Sequence, residues 1–267
     1  MGSLKKYITV YKLTWKQATD YRASFIMEMI CMLVPIVALY FLWSEIYSVN
    51  RVIEGYTIEN MIWYMILARL IAVIITPDFL FEVMGEIQEG AVQHYICKPI
   101  NYIKYHLVKS IGNKSRSILW SVFCIVIFYF ILGKNQKVEL SIYNLFVAIC
   151  LLSLAFLLYF QIVMFISLLS FWFYEISSWY YTLTFGIEFL AGGLFPLALL
   201  PNKIQVICNF FPFQYLIYYP ANVLIHGFEV REFLWSIMVL MIWNFLFSII
   251  LKMMWKKGVE HYELIGG

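Results

Sequence analysis

The sequence predicts an all-α polytopic membrane protein, and composition and hydropathy pattern are the two observations behind this prediction. The chain of 267 residues is 63% hydrophobic and 13% charged, whereas a soluble domain has about 25% charged residues. So much apolar surface exceeds what one small soluble core could bury. The net charge of +3 is too small for a nucleic-acid binder. A water-soluble protein is therefore excluded.

The apolar residues fall into six runs, which predict six transmembrane helices because a crossing takes about 20 residues. The third run is short, and the fourth is long enough to tilt or to project from the bilayer. Together, residues 23–267 form one predicted transmembrane domain. The predicted spans are residues 23–43, 60–81, 117–132, 143–173, 177–200 and 233–251.

Residues 1–22 are predicted to form an amphipathic interfacial helix. One helical face carries apolar residues and lysines flank it, a pattern typical of a helix lying in the headgroup layer. A simple cationic anchor is an equal alternative, and both place the segment flat on the membrane. The apolar face consists of Leu4, Ile8, Tyr11, Trp15 and Ala18.

The cations orient the chain, because cytoplasmic loops carry an excess of Lys and Arg. With the N-terminus inside, thirteen of the 19 Lys and Arg residues lie in inner segments and five in outer ones, while Arg69 lies within the second span. This distribution predicts that both termini are cytoplasmic.

Residues 201–227, between the fifth and sixth spans, are too apolar for an ordinary loop, yet Pro201, Pro212 and Pro220 interrupt them. Proline removes a helical hydrogen bond, so one continuous span is not expected. We expect two short re-entrant helices that dip into the outer leaflet.

Motifs for catalysis and metal binding are missing from the sequence. Gly85 and Gly90 have the spacing of a phosphate-binding loop, but the Lys and Ser or Thr that must follow are absent. The sequence contains no H-E-x-x-H or G-x-S-x-G motif, and its 5 Cys include no C-x-x-C pair. We therefore predict no catalytic residue, no metal site and no cofactor in this chain, and no enzymatic activity of its own.

Two ionisable residues fall near the middle of predicted spans, which is costly and points to a function or a pairing. Arg69 lies halfway along the second span and Glu188 halfway along the fifth, so they can lie at similar depth and form an ion pair. The pair can be structural, or it can belong to a substrate path or proton relay. Close by, Gly192 and Gly193 offer small residues for helix contact, and Pro196 ends that helix.

The loop at residues 82–105 has the most unusual pattern in the chain. Its acidic and amide side chains recur at helical spacing, which predicts a charged stripe that could bind a partner. An ordinary solvated loop is the alternative. Gly90 would permit a turn, and the residue before Pro99 must be extended. The stripe consists of Glu82, Glu86, Glu89 and Gln93, opposite Val83, Ile87 and Ala91.

At this loop the chain resembles the membrane subunits of bacterial ATP-binding-cassette exporters of the type-two permease family. Those subunits carry a glycine followed, after a short apolar stretch, by a Leu-x-Lys-Pro-like sequence, and here residues 89–100 read EGAVQHYICKPI. Ile96 stands where the family leads us to expect leucine. Residues 191–196 (AGGLFP) with Pro201, and residues 211–215 (FPFQY) with Tyr219 and Pro220, resemble two further family stretches.

The resemblance implies a subunit without ATPase activity in the inner membrane of a bacterium. It would pair with a second copy or a related permease and dock on cytoplasmic ATPase subunits that bind ATP and Mg. It would export a lipid, peptide or hydrophobic drug. Residues 82–105 would be the coupling loop and residues 201–227 the re-entrant segment above an exit gate. Coupling would involve Glu82, Glu86, Glu89, Gly90, Lys98 and Pro99, and the gate Gly192, Gly193, Pro196, Pro212 and Pro220.

The alternative function is an ion-coupled secondary carrier or channel, in which Arg69 and Glu188 would be the working residues. Discontinuous helices suit carriers as well, but the sequence shows no inverted repeat. An intramembrane enzyme lacks a nucleophile and base at suitable positions.

Overall fold

The computed structural model describes residues 3–20, 22–49, 52–96, 98, 100–132 and 141–266, and this part of the chain is almost entirely helical. A single short hairpin, β1 (Val52–Ile53) with β2 (Tyr56–Thr57), precedes the third helix. The helices are α1 Ser3–Asp20, α2 Arg22–Val49, α3 Ile58–Ile75, α4 Leu80–Gln88, α5 Gln93–Ile96, α6 Tyr102–Leu132, α7 Ile142–Leu168, α8 Ser177–Leu190, α9 Asn202–Phe210, α10 Tyr218–His226 and α11 Val230–Gly266.

Within the described part of the chain, three helical stretches are long and apolar enough to cross a membrane, judged by length and composition. They are Tyr102–Phe128, Ile142–Phe171 and Val230–Tyr262, and Leu33–Val49 is a shorter apolar stretch. Each of the six predicted runs is wholly or partly helical. The third run belongs to a longer helix, since α6 has 31 residues and begins at Tyr102.

The fifth predicted run, residues 177–200, is not one helix. α8 has 14 residues, about 21 Å of helix, which falls short of the about 30 Å hydrocarbon core. It ends at Leu190 because Gly192 adopts φ +80°, a left-handed conformation that terminates helices. The six-span count remains a prediction.

The interior of the fold forms around α7, whose Leu151, Ala155, Leu158 and Val163 are fully buried. α3, α4, α10 and α11 all pack against it. Many large apolar side chains on the outer faces of the helices remain exposed. This distribution suits a protein whose surroundings are hydrocarbon.

Helix α1 packs along α6. A Cβ placed on Gly112 would come within 3.0 Å of the Thr14 Cβ, so the glycine permits close approach of the two helices. On the predicted apolar face of α1, Ile8 and Tyr11 remain exposed. The side chains of Leu4 and Ala18 lie outside the described residues. The exposed apolar side chains are free to contact lipid.

Residues 201–227 form two short helices, α9 and α10, as the prolines predict. Pro201 lies just before α9, Pro212 begins a 3-10 turn at Phe213–Tyr215, and Pro220 lies in the first turn of α10. A proline in a first turn is tolerated because that N–H has no helical partner. Pro196 precedes another 3-10 turn, Leu197–Leu199.

Candidate functional site

Arg69 on α3 and Glu188 on α8 form an ion pair, with Nη1 2.7 Å from Oε1. Their side chains are 25% and 26% exposed, so the pair is neither fully buried nor free in solvent. Both residues line a cavity of about 1070 Å³, together with Thr76, Tyr159 and Tyr180. We name it the Arg69 cavity. Sequence position predicted that the two charges would meet, and the structure adds the cavity beside them.

The two glycines after α8 position this pair. The Gly193 N–H donates to the Glu188 carbonyl oxygen at 2.9 Å, and a Cβ on Gly193 would lie 2.7 Å from Glu188 Cγ. The Gly192 carbonyl oxygen accepts a hydrogen bond from the Tyr64 hydroxyl at 2.5 Å. A Cβ on Gly192 would lie 2.7 Å from the Tyr64 hydroxyl oxygen. The glycines therefore end α8, and the small size of Gly192 makes room for the side chains of Tyr64 on α3 and Tyr218 on α10.

Residues 215–219 lie between two cavities. Leu216 and Ile217 are 0% and 2% exposed and line the Arg69 cavity. Tyr215, Tyr218 and Tyr219 line a second cavity of about 1130 Å³, which we name the Tyr218 cavity. This short segment therefore contributes to the walls of both cavities.

The two cavities differ in charge. Among the described residues, the Arg69 cavity is lined by four cations and two carboxylates, and the Tyr218 cavity by three carboxylates and one cation. The first set is Arg69, Lys109, Lys114, Arg116, Asp78 and Glu188. The second is Glu54, Glu229, Glu232 and Arg231.

The prediction of one continuous acidic stripe along residues 82–93 is wrong. α4 ends at Gln88, and Gly90 at φ +78° turns the chain before α5 begins at Gln93. Glu82 and Glu86 point toward α6, where Glu82 pairs with Lys109. Helical spacing placed them on one face but did not reveal that α6 packs against that face. Glu89 is exposed.

The Glu86 carboxylate joins α4, α5 and α6. It accepts hydrogen bonds from the Tyr102 hydroxyl at 2.6 Å and the Tyr95 hydroxyl at 3.1 Å, and lies 3.1 Å from His106 Nε2. Burial by itself would raise the pKa of Glu86. The hydrogen bonds from His106 and Tyr102, the positive charge of His106 and the bond from Tyr95 outweigh burial and lower this pKa.

Ligand atoms of Glu82, Glu86 and His106 lie within 4.8 Å of one another, a spacing that could hold a metal ion. In the structure, however, Lys109 already pairs with Glu82, and three donors surround the Glu86 carboxylate. A metal cation would have to compete with Lys109 for the Glu82 carboxylate. Sequence reasoning missed this cluster, although Tyr102 and His106 lie four residues apart and so share one face of α6.

Helix α11 continues past the predicted sixth span and contacts the loop at residues 82–105. Its 37 residues extend about 55 Å, well beyond a hydrocarbon core of about 30 Å. Trp255 stacks on Tyr102, with ring centroids 4.6 Å apart and planes at 17°.

Two glycines leave space that allows the C-terminal end of α11 to pack closely against the rest of the fold. A Cβ on Gly258 would lie 2.3 Å from the Phe171 ring, and one on Gly90 would lie 2.8 Å from the Tyr262 hydroxyl. Gly90 thus provides the predicted turn and also makes room for Tyr262. Lys98 is exposed, and Pro99 lies outside the described residues.

A family model described as "ABC-2 family transporter protein" matches residues 33–266. The match covers most of the chain, so the chain belongs to this family and the resemblance to type-two permeases is confirmed. The protein is therefore a membrane protein of the class that forms the membrane subunit of an ATP-binding-cassette transporter and works with an ATP-binding subunit. No curated protein matches the chain.

Proposed function

We propose that this chain is the membrane subunit of an ATP-driven exporter. It dimerises in the bacterial inner membrane, with both termini in the cytoplasm, and docks on cytoplasmic ATPase subunits that bind ATP and Mg. Its substrate is hydrophobic or amphipathic and moves outward. Family membership favours this function over an ion-coupled carrier or channel.

The observation that carries the proposal is the tethering of residues 82–105 to two long helices. A subunit without a phosphate-binding loop can use ATP only through contact with a partner. Glu86 ties the loop to α6. Tyr262 of α11 contacts it at Gly90 and at Gln93 Nε2, 3.3 Å from its hydroxyl. A push on this loop would therefore move α6 and α11 with it.

The exposed side of this loop is the proposed docking surface. We propose this surface instead of the acidic stripe, because Glu82 and Glu86 contact Lys109 and His106 of α6. Among the described residues, the exposed residues of the loop are Gln88, Glu89, Gln93, His94, Lys98, Asn101 and Lys104.

Residues 215–219 form the proposed exit gate. They separate the Arg69 cavity from the Tyr218 cavity, and the Tyr64 hydroxyl bond to Gly192 holds the adjoining turn. In the exporter, ATP-driven movement of α6 and α11 would open the gate outward.

Copurification from the native host tests the docking surface. Reversing two exposed charges, Glu89→Lys with Lys98→Glu, keeps the net charge and should reduce recovery of the ATPase subunit about tenfold if those charges are desolvated at the contact. Glu59→Lys is a control for charge reversal away from the loop, because Glu59 is exposed at the start of α3, on the predicted outer side.

Gly90→Val tests coupling separately from docking. The backbone at φ +78° disfavours valine, and its Cβ would meet Tyr262. The variant should retain the ATPase subunit but lose substrate-stimulated ATP hydrolysis in proteoliposomes. Normal recovery and normal hydrolysis in both variants would refute the proposed role of the loop.

A further inference from the structure

We propose that the short hairpin of β1 and β2 is a strap that keeps the exit gate at residues 215–219 closed, with Tyr56 as the positioning residue. This deepens the proposed function, since it rests on residues 215–219 being the gate. Residues 52–57, which we name the strap, connect α2 to α3. Release of the strap would free α10, and with it the gate, to move away from α3.

Tyr56 makes the contact between the strap and the helix that follows the gate. It is 5% exposed, and its hydroxyl donates a hydrogen bond to Asn222 Oδ1 on α10 at 2.8 Å. The Tyr56 ring also meets the His226 ring of α10 edge to face, with centroids 5.5 Å apart. Because α10 begins at Tyr218, within the gate, Tyr56 holds the gate through α10.

Two further tyrosines extend this contact to both sides of the gate. Tyr56 packs edge to face on Tyr64 of α3, with centroids 6.2 Å apart, and the Tyr64 ring lies 6.1 Å from the Tyr218 ring. The Tyr64 hydroxyl donates to the Gly192 carbonyl oxygen. The strap is therefore packed in one cluster with α3, α10 and the turn after α8.

The strap also contacts the C-terminal end of α2. The Tyr47 hydroxyl donates a hydrogen bond to the Tyr56 carbonyl oxygen at 2.9 Å, and Tyr47 is 6% exposed. Since this bond is made to the main chain of Tyr56, a shift of the end of α2 would move Tyr56 and weaken its hold on α10. The strap thus joins the first predicted span to the gate.

The turn of the strap favours release. Its central residues, Glu54 and Gly55, have φ of +46° and +80°, as in a type I′ turn, where Asn or Asp is preferred at the first position. Among the described residues, Glu54 is the only one besides glycines with positive φ, which is unfavourable for a residue with a Cβ. The strap has two residue pairs, and so small a hairpin is marginal by itself. Its closed position therefore depends on Tyr56.

The test measures gate opening by labelling a single cysteine from outside, in cells that produce the permease alone. Ile217 lies in the gate and is 2% exposed, so Ile217→Cys in a cysteine-free chain should react slowly with a membrane-impermeant maleimide. Rapid labelling of this parent would overturn the closed gate and the strap with it. Tyr56→Phe keeps the ring but removes the bond to Asn222, and should speed labelling about tenfold, the usual value of one hydrogen bond. An unchanged rate would overturn the proposal.

Variants of Asn222 separate a positioning role from a merely structural one. Asn222→Asp retains the acceptor oxygen and should label at the parent rate, whereas Asn222→Leu should label at least as fast as Tyr56→Phe. Adding Tyr56→Phe to Asn222→Leu should cause no further increase, and additive effects would show that Tyr56 does not act through Asn222. Tyr143→Phe is the matched control, because Tyr143 is 79% exposed near the start of α7 and should leave the rate unchanged.

Glu54→Asn should have the opposite effect. Asparagine adopts the left-handed conformation more readily than glutamate, so the strap should be more stable and labelling about threefold slower. Faster labelling would overturn the part assigned to the turn. Ala155→Cys, fully buried on α7, should stay unlabelled by a membrane-permeant maleimide in every variant, and its labelling would show general unfolding in place of strap release.

These measurements need neither ATP nor the ATPase subunit. Strap-dependent labelling without ATPase copurification would therefore count against the exporter alone. Coupled hydrolysis in the parent protein with unchanged labelling in Tyr56→Phe would count against the strap alone.

Discussion

The Arg69–Glu188 ion pair gives the sharpest stability prediction. The perturbation is a double-mutant cycle with Arg69→Met, Glu188→Gln and the two changes together. Each single change leaves one charge of the pair without its partner, whereas the double change removes both. The double variant should therefore be less destabilised than the sum of the single variants.

The structure sets the size of this coupling. The atoms lie 2.7 Å apart, but both side chains are about a quarter exposed to the Arg69 cavity. Exposed pairs contribute up to about 1 kcal/mol, and breaking a fully buried pair costs about 3–5 kcal/mol. We expect a coupling free energy of about 2 kcal/mol, between these limits.

The assay is reversible unfolding in mixed micelles, with the free energy of unfolding determined for all four proteins. Lys256 and Glu260 on α11 supply the control cycle. Their charges lie 4.0 Å apart, and the side chains are 80% and 59% exposed. Such an i, i+4 pair should couple by about 0.3 kcal/mol. If the Arg69 cycle gives no more coupling than this control, the ion pair does not hold α3 and α8 together.

Three further predictions concern the loop and α11. Glu86→Gln should lower the free energy of unfolding by about 1.5 kcal/mol at pH 7. Because folding lowers the pKa of Glu86, this difference should disappear as pH falls through its folded pKa, and a pH-independent difference would contradict the network. In thermal melts, Gly258→Ala should destabilise by about 1–3 kcal/mol through its clash with Phe171, whereas Gly186→Ala, with open space around it, should stabilise slightly. A single cysteine at Lys98 should label from the cytoplasm, and efficient labelling from outside would refute the topology.

The loop at residues 82–105 shows where sequence patterns stop being informative. Gly90 was predicted to turn the chain, and it does, because positive φ favours glycine locally. The side of α4 that faces α6 could not be predicted. Helical periodicity groups residues on a face, but Glu86 meets His106 through packing between separate helices.

The Arg69–Glu188 contact could be predicted from the sequence only in part. The two residues are 119 positions apart, yet both fall near the middle of an apolar run, and a charge in hydrocarbon favours a partner at its own depth. That argument predicted the pair. It could not predict the cavity beside it, which requires α3, α6, α7 and α8 to be placed together.

The sequence by itself determined the membrane as the surroundings of the chain, the position of most helices and the family, because composition, apolar run length and short motifs are local properties. Tertiary structure decided which charges are paired, that residues 215–219 separate two cavities, and that the end of α11 rests against Gly90 and Phe171. These features depend on how helices distant in sequence pack, and no local pattern encodes that packing.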